Sequence, residues 1–455
     1  MNIRLFSNRT WPFYFAIVWL LGACNGFLEI DPREAVAEEL SIVDKTSLQT
    51  ALRGAYRALG AGSYYGEGYV NLGFVPSGDV IYNVADNISD FNFRSTDAAF
   101  SGPWAAIYNT INITNHIIEK APALADVNLT VEERNIIIGE AHFIRALAYF
   151  DLARGWGGVP LKLSPTHDPS GGGAIPRSTQ EEVYSFVSSE LQLAEALLPE
   201  AVNRIRATRY TVWALQARLA LYRRQWEDAV LFASKVIALD NAFSLVEPFH
   251  GWFKHDVVQT QESIFEIAFS AQHQNGLRTR MSLLTKGGEY RYRPAEPVIN
   301  TLRNRATGGD RIALLDSASQ GGQTQYAGAL YYRSPATDPV YVLRIAEQYL
   351  IRAEAYAQLG RLDEAKADLD RIRYRAGLGA SSAWTQAALL DDILEENRLE
   401  FLWEAHRYFD LARTGKLKEK VEALKPNLRI ESHLSLFPIP VDEVNLGGLE
   451  QNEGY

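Results

Sequence analysis

Apolar residues recur along most of this chain with helical period, in runs separated by glycine- and proline-rich breaks. Between Leu343 and Gly360, residues Ala346, Tyr349, Leu350, Ala353 and Ala357 fall at i, i+3, i+4, i+7 and i+11, which puts them on one helix face. Gly360 ends that helix, and Arg361 to Arg375 forms the next. The helix, glycine turn and helix, with Ala353, Tyr356, Gly360, Ala365, Leu369 and Ile372 at tetratricopeptide intervals, are a repeat signal. A poorer copy lies at Ala217, Ala220, Ala229, Ala233 and Val236. A lone unit cannot bury its own apolar face, so further degenerate copies are expected among helices near 104–120, 130–154 and 178–198. An unrelated helical hairpin would give the same local pattern. The fold class expected is therefore mainly α, a tetratricopeptide-like repeat scaffold near 35–62, 104–239 and 343–415 with one loop-rich, ligand-binding face.

The breaks differ in character. Residues 155–178 hold Gly155, Gly157, Gly158, Pro160, Pro165, Pro169, Gly171 to Gly173 and Pro176, which reads as an irregular excursion within one domain of residues 24–455. Residues 240–340 lack sustained periodicity. A structureless stretch of that length does not fit inside a compact domain, so short strands and ligand-facing loops are expected there.

Composition narrows the classes. Of 455 residues 47% are hydrophobic and 22% charged, which excludes disordered and collagen-like chains. The formal charge of −10, with no long Lys/Arg block, argues against nucleic acid as a partner. Cys24 is the one cysteine, so no intrachain disulfide and no cysteine-based zinc site exists. Arg4, Arg9, the apolar run Trp11 to Leu21 and the small residues Gly22 and Ala23 read as a secretory signal of residues 1–23, too short to span a bilayer. Its removal takes away two arginines and no acid, shifting the charge from −10 to −12. Leu21-Gly22-Ala23-Cys24 resembles a bacterial lipoprotein signal in which Cys24 is acylated; the alternative is an ordinary signal with a chance cysteine.

Signs of catalysis are weak. Glu396, Glu400 and Glu404 fall at i, i+4 and i+8 on one helix line, whereas glycosidase carboxylates face each other across a substrate. With Arg398 and Arg407 beside it, the stripe reads as a packing or solvated ion-pair network. Eight histidines include no H-E-x-x-H and only the loose pair His250 and His255. No G-x-S-x-G elbow and no phosphate-binding loop occurs. No cofactor, no metal and no enzymatic activity are expected.

Several segments in order resemble the SusD/RagB family of outer-membrane nutrient-binding lipoproteins. They are Phe27 to Pro32; Trp104, Tyr108, Ile111 and Asn115; Glu140 to Leu161; Leu343 to Leu378; Glu396 to Gly415; and Phe437 to Pro440 with Gln451 to Tyr455. Asn397, Ala405 and Glu453 depart from the residues usual in the family. The resemblance implies a lipid-anchored protein of the Gram-negative cell surface whose tetratricopeptide-like helices pack against a SusC-like TonB-dependent transporter. It also implies a loop-rich face that captures an oligosaccharide or another nutrient. A peptide- or protein-binding repeat scaffold, or less readily a surface glycoside hydrolase, are the other classes.

A glycan site needs aromatic platforms beside polar partners. From Tyr64 to Tyr108 there are ten aromatics in 45 residues, about 22% against 11% for the whole chain. In loop-like sequence there, Tyr64, Tyr65, Tyr69, Tyr82, Phe91 and Phe93 lie with Asp79, Asn83, Asp90 and Arg94; each ring serves ordinary packing equally well. Tyr290-Arg291-Tyr292-Arg293 on a strand would place Tyr290 and Tyr292 on one face and the arginines on the other, or form an exposed strand with nothing bound. Tyr326, Tyr331 and Tyr332 are a weaker version.

Overall fold

The computed structural model describes residues 42–82, 87–166 and 175–455. The N-terminal half runs α1 (Lys45–Leu59), α2 (Gly68–Phe74), β1 (Val80–Tyr82), α3 (Ala98–Lys120), α4 (Val131–Trp156), α5 (Gln180–Leu197), α6 (Arg209–Tyr222) and α7 (Trp226–Ile237). Then follow β2 (Ser263–Ile267), α8 (Leu277–Met281), β3 (Tyr292–Pro294), α9 (Glu296–Arg303), β4 (Leu315–Gln320), β5 (Gln323–Gly328) and β6 (Val340–Arg344). The chain closes with α10 (Ile345–Gln358), α11 (Leu362–Arg375), α12 (Gln386–Glu400), α13 (Arg407–Arg413), α14 (Leu417–Leu424) and α15 (Val441–Asn445). The expected signal at 1–23, Cys24 and Asn83 lie outside the described residues, as does the start of the 35–62 segment.

Local chemistry starts the long helices. Capping boxes at Asp44/Ser47, Thr130/Glu133 and Thr179/Glu182 satisfy the first backbone donors of α1, α4 and α5. Gly139 lets α5 approach α4, since a Cβ there would meet Leu197 and Leu198 side chains at 2.9 Å. The periodic face behaves as expected: Ala346, Leu350, Ala353 and Ala357 are buried together with Ala365, Leu369 and Ile372, and half-buried Tyr349 packs on them. The poorer copy buries Ala217, Ala220, Ala229 and Ala233 against Ile351 and Ala355 of α10.

The repeat units therefore touch although 107 residues separate α7 from α10. Antiparallel pairing of β2 with β6 closes the excursion, with Ser263 opposite Arg344 and Ile267 opposite Val340. Because β6 runs straight into α10, this short ladder returns the chain beside α7. The irregular segment contains the expected short strands, and the main core cluster runs from Leu48 to Leu449.

Candidate functional site

The two aromatic windows meet. β1 pairs antiparallel with β3, setting Tyr82 opposite Tyr292 and Ile81 opposite Arg293. The Tyr82 and Tyr292 rings lie 4.9 Å apart at 35°. Tyr292 is the inner ring: its hydroxyl accepts from Asn71 Nδ2 at 2.7 Å, and Phe74 meets it edge-on. Tyr82 is half-buried and Ile81 is 41% exposed. The β4–β5 hairpin packs beside β3 and brings half-buried Tyr326, with the Arg303 guanidinium 5.5 Å from its ring. Around this strand cluster lie the pairs Arg291–Glu289 (2.5 Å) and Arg280–Glu67 (3.0 Å). The result is a shallow aromatic surface with a charged rim, suited to stacking and hydrogen bonding with a polyhydroxylated ligand.

The alternation expected across 290–293 is broken. Tyr290 has φ +52°, so the strand begins only at Tyr292. Tyr290 turns instead into a small cluster with Leu283 and Ala327 and donates to the Tyr326 carbonyl at 3.0 Å. Both tyrosines are 7% exposed and share no open face.

Most of the 64–94 window is core, which corrects the reading of those residues as ligand platforms. Tyr64 and Tyr65 donate to Asp151 Oδ2 at 2.8 and 2.7 Å, and Tyr69 donates to Oδ1 at 3.1 Å. Arg154 completes the knot, 2.8 Å from Asp151 and stacked 4.2 Å from the Phe409 ring centroid. Burial first, and the Asp151 charge next, push the Tyr64 and Tyr65 phenols far above their ordinary range, so they stay neutral donors. Asp79 is 1% exposed and held by Arg398 at 2.9 Å, a tie between β1 and α12. Phe91 and Phe93 stack at 5.5 Å, and Phe93 packs on Phe100 and Phe437. Arg94, like Asp90, is exposed. Sequence spacing contains no trace of this outcome, because a hydroxyl that reaches a buried carboxylate 80 residues away reads the same as one that faces solvent.

The glutamate stripe is buried rather than solvated. α12 ends at Glu400, so Glu404 leaves the helix line. Arg311 contacts Glu396 at 2.6 Å and Glu400 at 2.9 Å, while Arg344 contacts Glu262, Glu400 and Glu404 at 2.9, 3.1 and 2.8 Å. Arg375 also reaches Glu400, and Arg344 is sandwiched between Trp252 and Phe401. Burial pushes the Glu400 carboxyl up, but Arg375, Arg311 and Arg344 together outweigh it and hold it at about 2. Glu404, with fewer cations, is pushed up to about 7 by the same burial. These carboxylates converge on guanidinium groups. Among the described residues no group of three or more His, Cys, Asp or Glu is placed to hold a metal ion, and His250 and His255 meet only as rings 5.5 Å apart.

Comparison with known proteins supplies the context of this surface. A family model described as "Starch-binding associating with outer membrane" matches residues 27–222, and one described as "SusD family" matches residues 323–455. The chain belongs to the SusD/RagB family. A SusD-like protein of Formosa agariphila is 26% identical over the whole of both chains. The crystal structure of a SusD superfamily protein from Bacteroides vulgatus superposes with a TM-score of 0.80 at 21% identity, covering 90% of this chain and 99% of that one. A laminarin-binding SusD-like protein superposes with a TM-score of 0.75 at 21% identity, covering 90% of this chain and all of the other. Gly73 lets α2 approach the backbone at Ala405, since a Cβ there would lie 2.3 Å from Ala405 Cα.

Proposed function

We propose that this chain is a cell-surface glycan-capture protein. Acylated Cys24 anchors it to the outer membrane, and it hands oligosaccharide to a SusC-like TonB-dependent transporter seated on the helical repeats. The observation that carries the reading is the β1–β3 pairing, which sets the half-exposed Tyr82 ring on Tyr292, with the β4–β5 hairpin that carries Tyr326 packed on β3. The laminarin-binding relative of the same fold, and the starch-binding description of the N-terminal family model, support a glucan as the first ligand to try. No helix among the described residues is long and apolar enough to cross a membrane. The protein binds and performs no chemistry, so capture rests on several modest stacking and hydrogen-bond contacts.

The test is affinity electrophoresis of the full chain through gels containing laminarin, starch and other polysaccharides, with product analysis alongside. Retardation by a glycan without product is expected. Tyr82→Ala and Tyr326→Ala should each weaken it roughly two- to tenfold at about 0.5–1.5 kcal/mol per stacked ring, with circular dichroism unchanged. Full retardation of the double variant overturns the site, and released product overturns the binding-only role.

A further inference from the structure

A cavity of about 430 Å³ lies away from the strands, between the turn of the α6–α7 hairpin, α10, α12 and the α13–α14 turn. That volume falls in the range of small-molecule sites. Its base is a buried ion pair, Arg413 with Glu354 at 2.6 and 2.8 Å, backed by Asp410 at 2.8 Å. Its walls include Leu390, Leu394 and Trp226.

Two of the lining residues are where one repeat hairpin departs from the other. The α6–α7 turn, Arg223-Arg224-Gln225, has the same backbone as the α10–α11 turn, Leu359-Gly360-Arg361. The φ values run −84°, +57° and −89° in the first and −79°, +75° and −87° in the second. The middle residue in this left-handed geometry is glycine in one hairpin and arginine in the other. A non-glycine residue there is strained. The first residue of the following helix is Leu362 in one hairpin and Trp226 in the other, each packed on its own hairpin's cluster. Both substituted side chains line the cavity. The Arg224 guanidinium makes no ion pair among the described residues, whereas Lys416 pairs with Glu419 and Asp391 with Lys420. An exposed, unpaired cation that lines the same cavity as a half-buried indole is a recognition pair for a flat ring that carries an anion.

We infer that this cavity is a second ligand site, which takes a sugar residue bearing a carboxylate, its ring face on Trp226 and its carboxylate on Arg224. The site goes beyond the glycan surface at Tyr82 and stands on different elements.

The test is a titration of the full chain with methyl glucuronide and, in parallel, the neutral methyl glucoside, followed by saturation-transfer NMR and calorimetry. Binding of the glucuronide, at least about tenfold weaker for the glucoside and for Arg224→Gly, is expected, since tenfold corresponds to about 1.4 kcal/mol. Trp226→Leu should abolish it. Both variants install the residues of the other hairpin, so their thermal midpoints report folding independently. Equal binding of the two sugars, binding unchanged in Arg224→Gly, or no binding at all overturns the inference. So does binding of a tripeptide with a C-terminal tryptophan in place of the glucuronide, which would make the cavity a peptide site. Arg224→Gly leaves polysaccharide retardation intact and Tyr82→Ala leaves the glucuronide titration intact, so each site fails or stands separately.

Discussion

The α6–α7 and α10–α11 hairpins turn with the same backbone and are stabilised in different ways. α10–α11 has internal ties as well as outward ones: Arg352 grips Asp368 at 2.7 and 2.8 Å, and Arg361 lies over Tyr356 and pairs with Glu364, while Glu354 and Arg375 reach out to Arg413 and Glu400. In α6–α7 the ties run outward. Arg218 of α6 pairs with Glu347 of α10 inside the core, and Trp213 and Gln216 both donate to Glu195 of α5. The turn bonds are equivalent, Gln225 N to Ala220 O at 2.9 Å and Arg361 N to Tyr356 O at 2.8 Å. The repeat is thus a property of the backbone and the small apolar positions, while the polar residues are free to serve neighbours or a ligand.

The largest test of that contrast is the outward tie. Arg218 and Glu347 side chains are 3% and 6% exposed, so Glu347→Ala leaves a buried cation unpaired and should cost about 3–5 kcal/mol in denaturant unfolding. The double variant Arg218→Met/Glu347→Leu should recover most of that loss, because no lone charge remains buried. Equal losses for the single and double variants would show that the pair, and not the orphaned charge, holds the hairpins together. Next, Gly360→Ala should lower stability by about 1 kcal/mol with an unchanged denaturant slope. A Cβ at Gly360 meets nothing within 4 Å, so the cost is backbone conformation alone. The reciprocal change, Arg224→Gly, should raise stability by up to about 1 kcal/mol by relieving the same geometry. A loss instead would show that the Arg224 side chain supports the fold.

The smallest effect concerns pH. Burial raises the Asp368 carboxyl above 3.8, with Arg352 pulling the other way. Above pH 3.8 the folded chain therefore keeps a proton that the unfolded chain has lost. This group's contribution is greatest below that window and declines as pH rises through it. Relative to Asp368→Asn, the wild-type melting temperature should fall on going from about pH 3.5 to about pH 6. A parallel pair of curves would place the carboxyl at its ordinary value. No such slope is expected from the α6–α7 hairpin, which has no equivalent internal acid.

Reading the sequence worked where the rule was local and failed where a partner was distant. The Ala346 to Ala357 stripe, the stop at Gly360 and the helices near 104–120, 130–154 and 178–198 all formed, because period and capping act within a few residues. The site was legible only in outline. Aromatic enrichment pointed to the segments that meet at β1 and β3, yet within it Tyr64, Tyr65 and Tyr69 went to Asp151 and Tyr82 stayed half-exposed. Aromatic content measures how much ring a segment has, not which side of it is wet. Among the described residues, Trp384 at 67% and Tyr374 at 59% are highly exposed rings, and both lie outside the enriched windows altogether. Setting residues 222–229 against 358–365 would have singled out Arg224 and Trp226 from sequence alone, since each replaces the residue that the turn and the packing prefer.

By itself, then, the sequence determined the helical elements, their turns, the family and the absence of disulfide chemistry. Each of these follows from spacing, capping residues or composition, and none needs a partner far along the chain. Tertiary structure alone decided which tyrosines are donors to a buried carboxylate, that the Glu396 and Glu400 carboxylates answer Arg311 instead of water, and that the α6–α7 turn and α10 share a cavity. Those outcomes depend on burial and on contacts across tens to hundreds of residues. There the low dielectric of the interior turns an ordinary polar side chain into a structural tie.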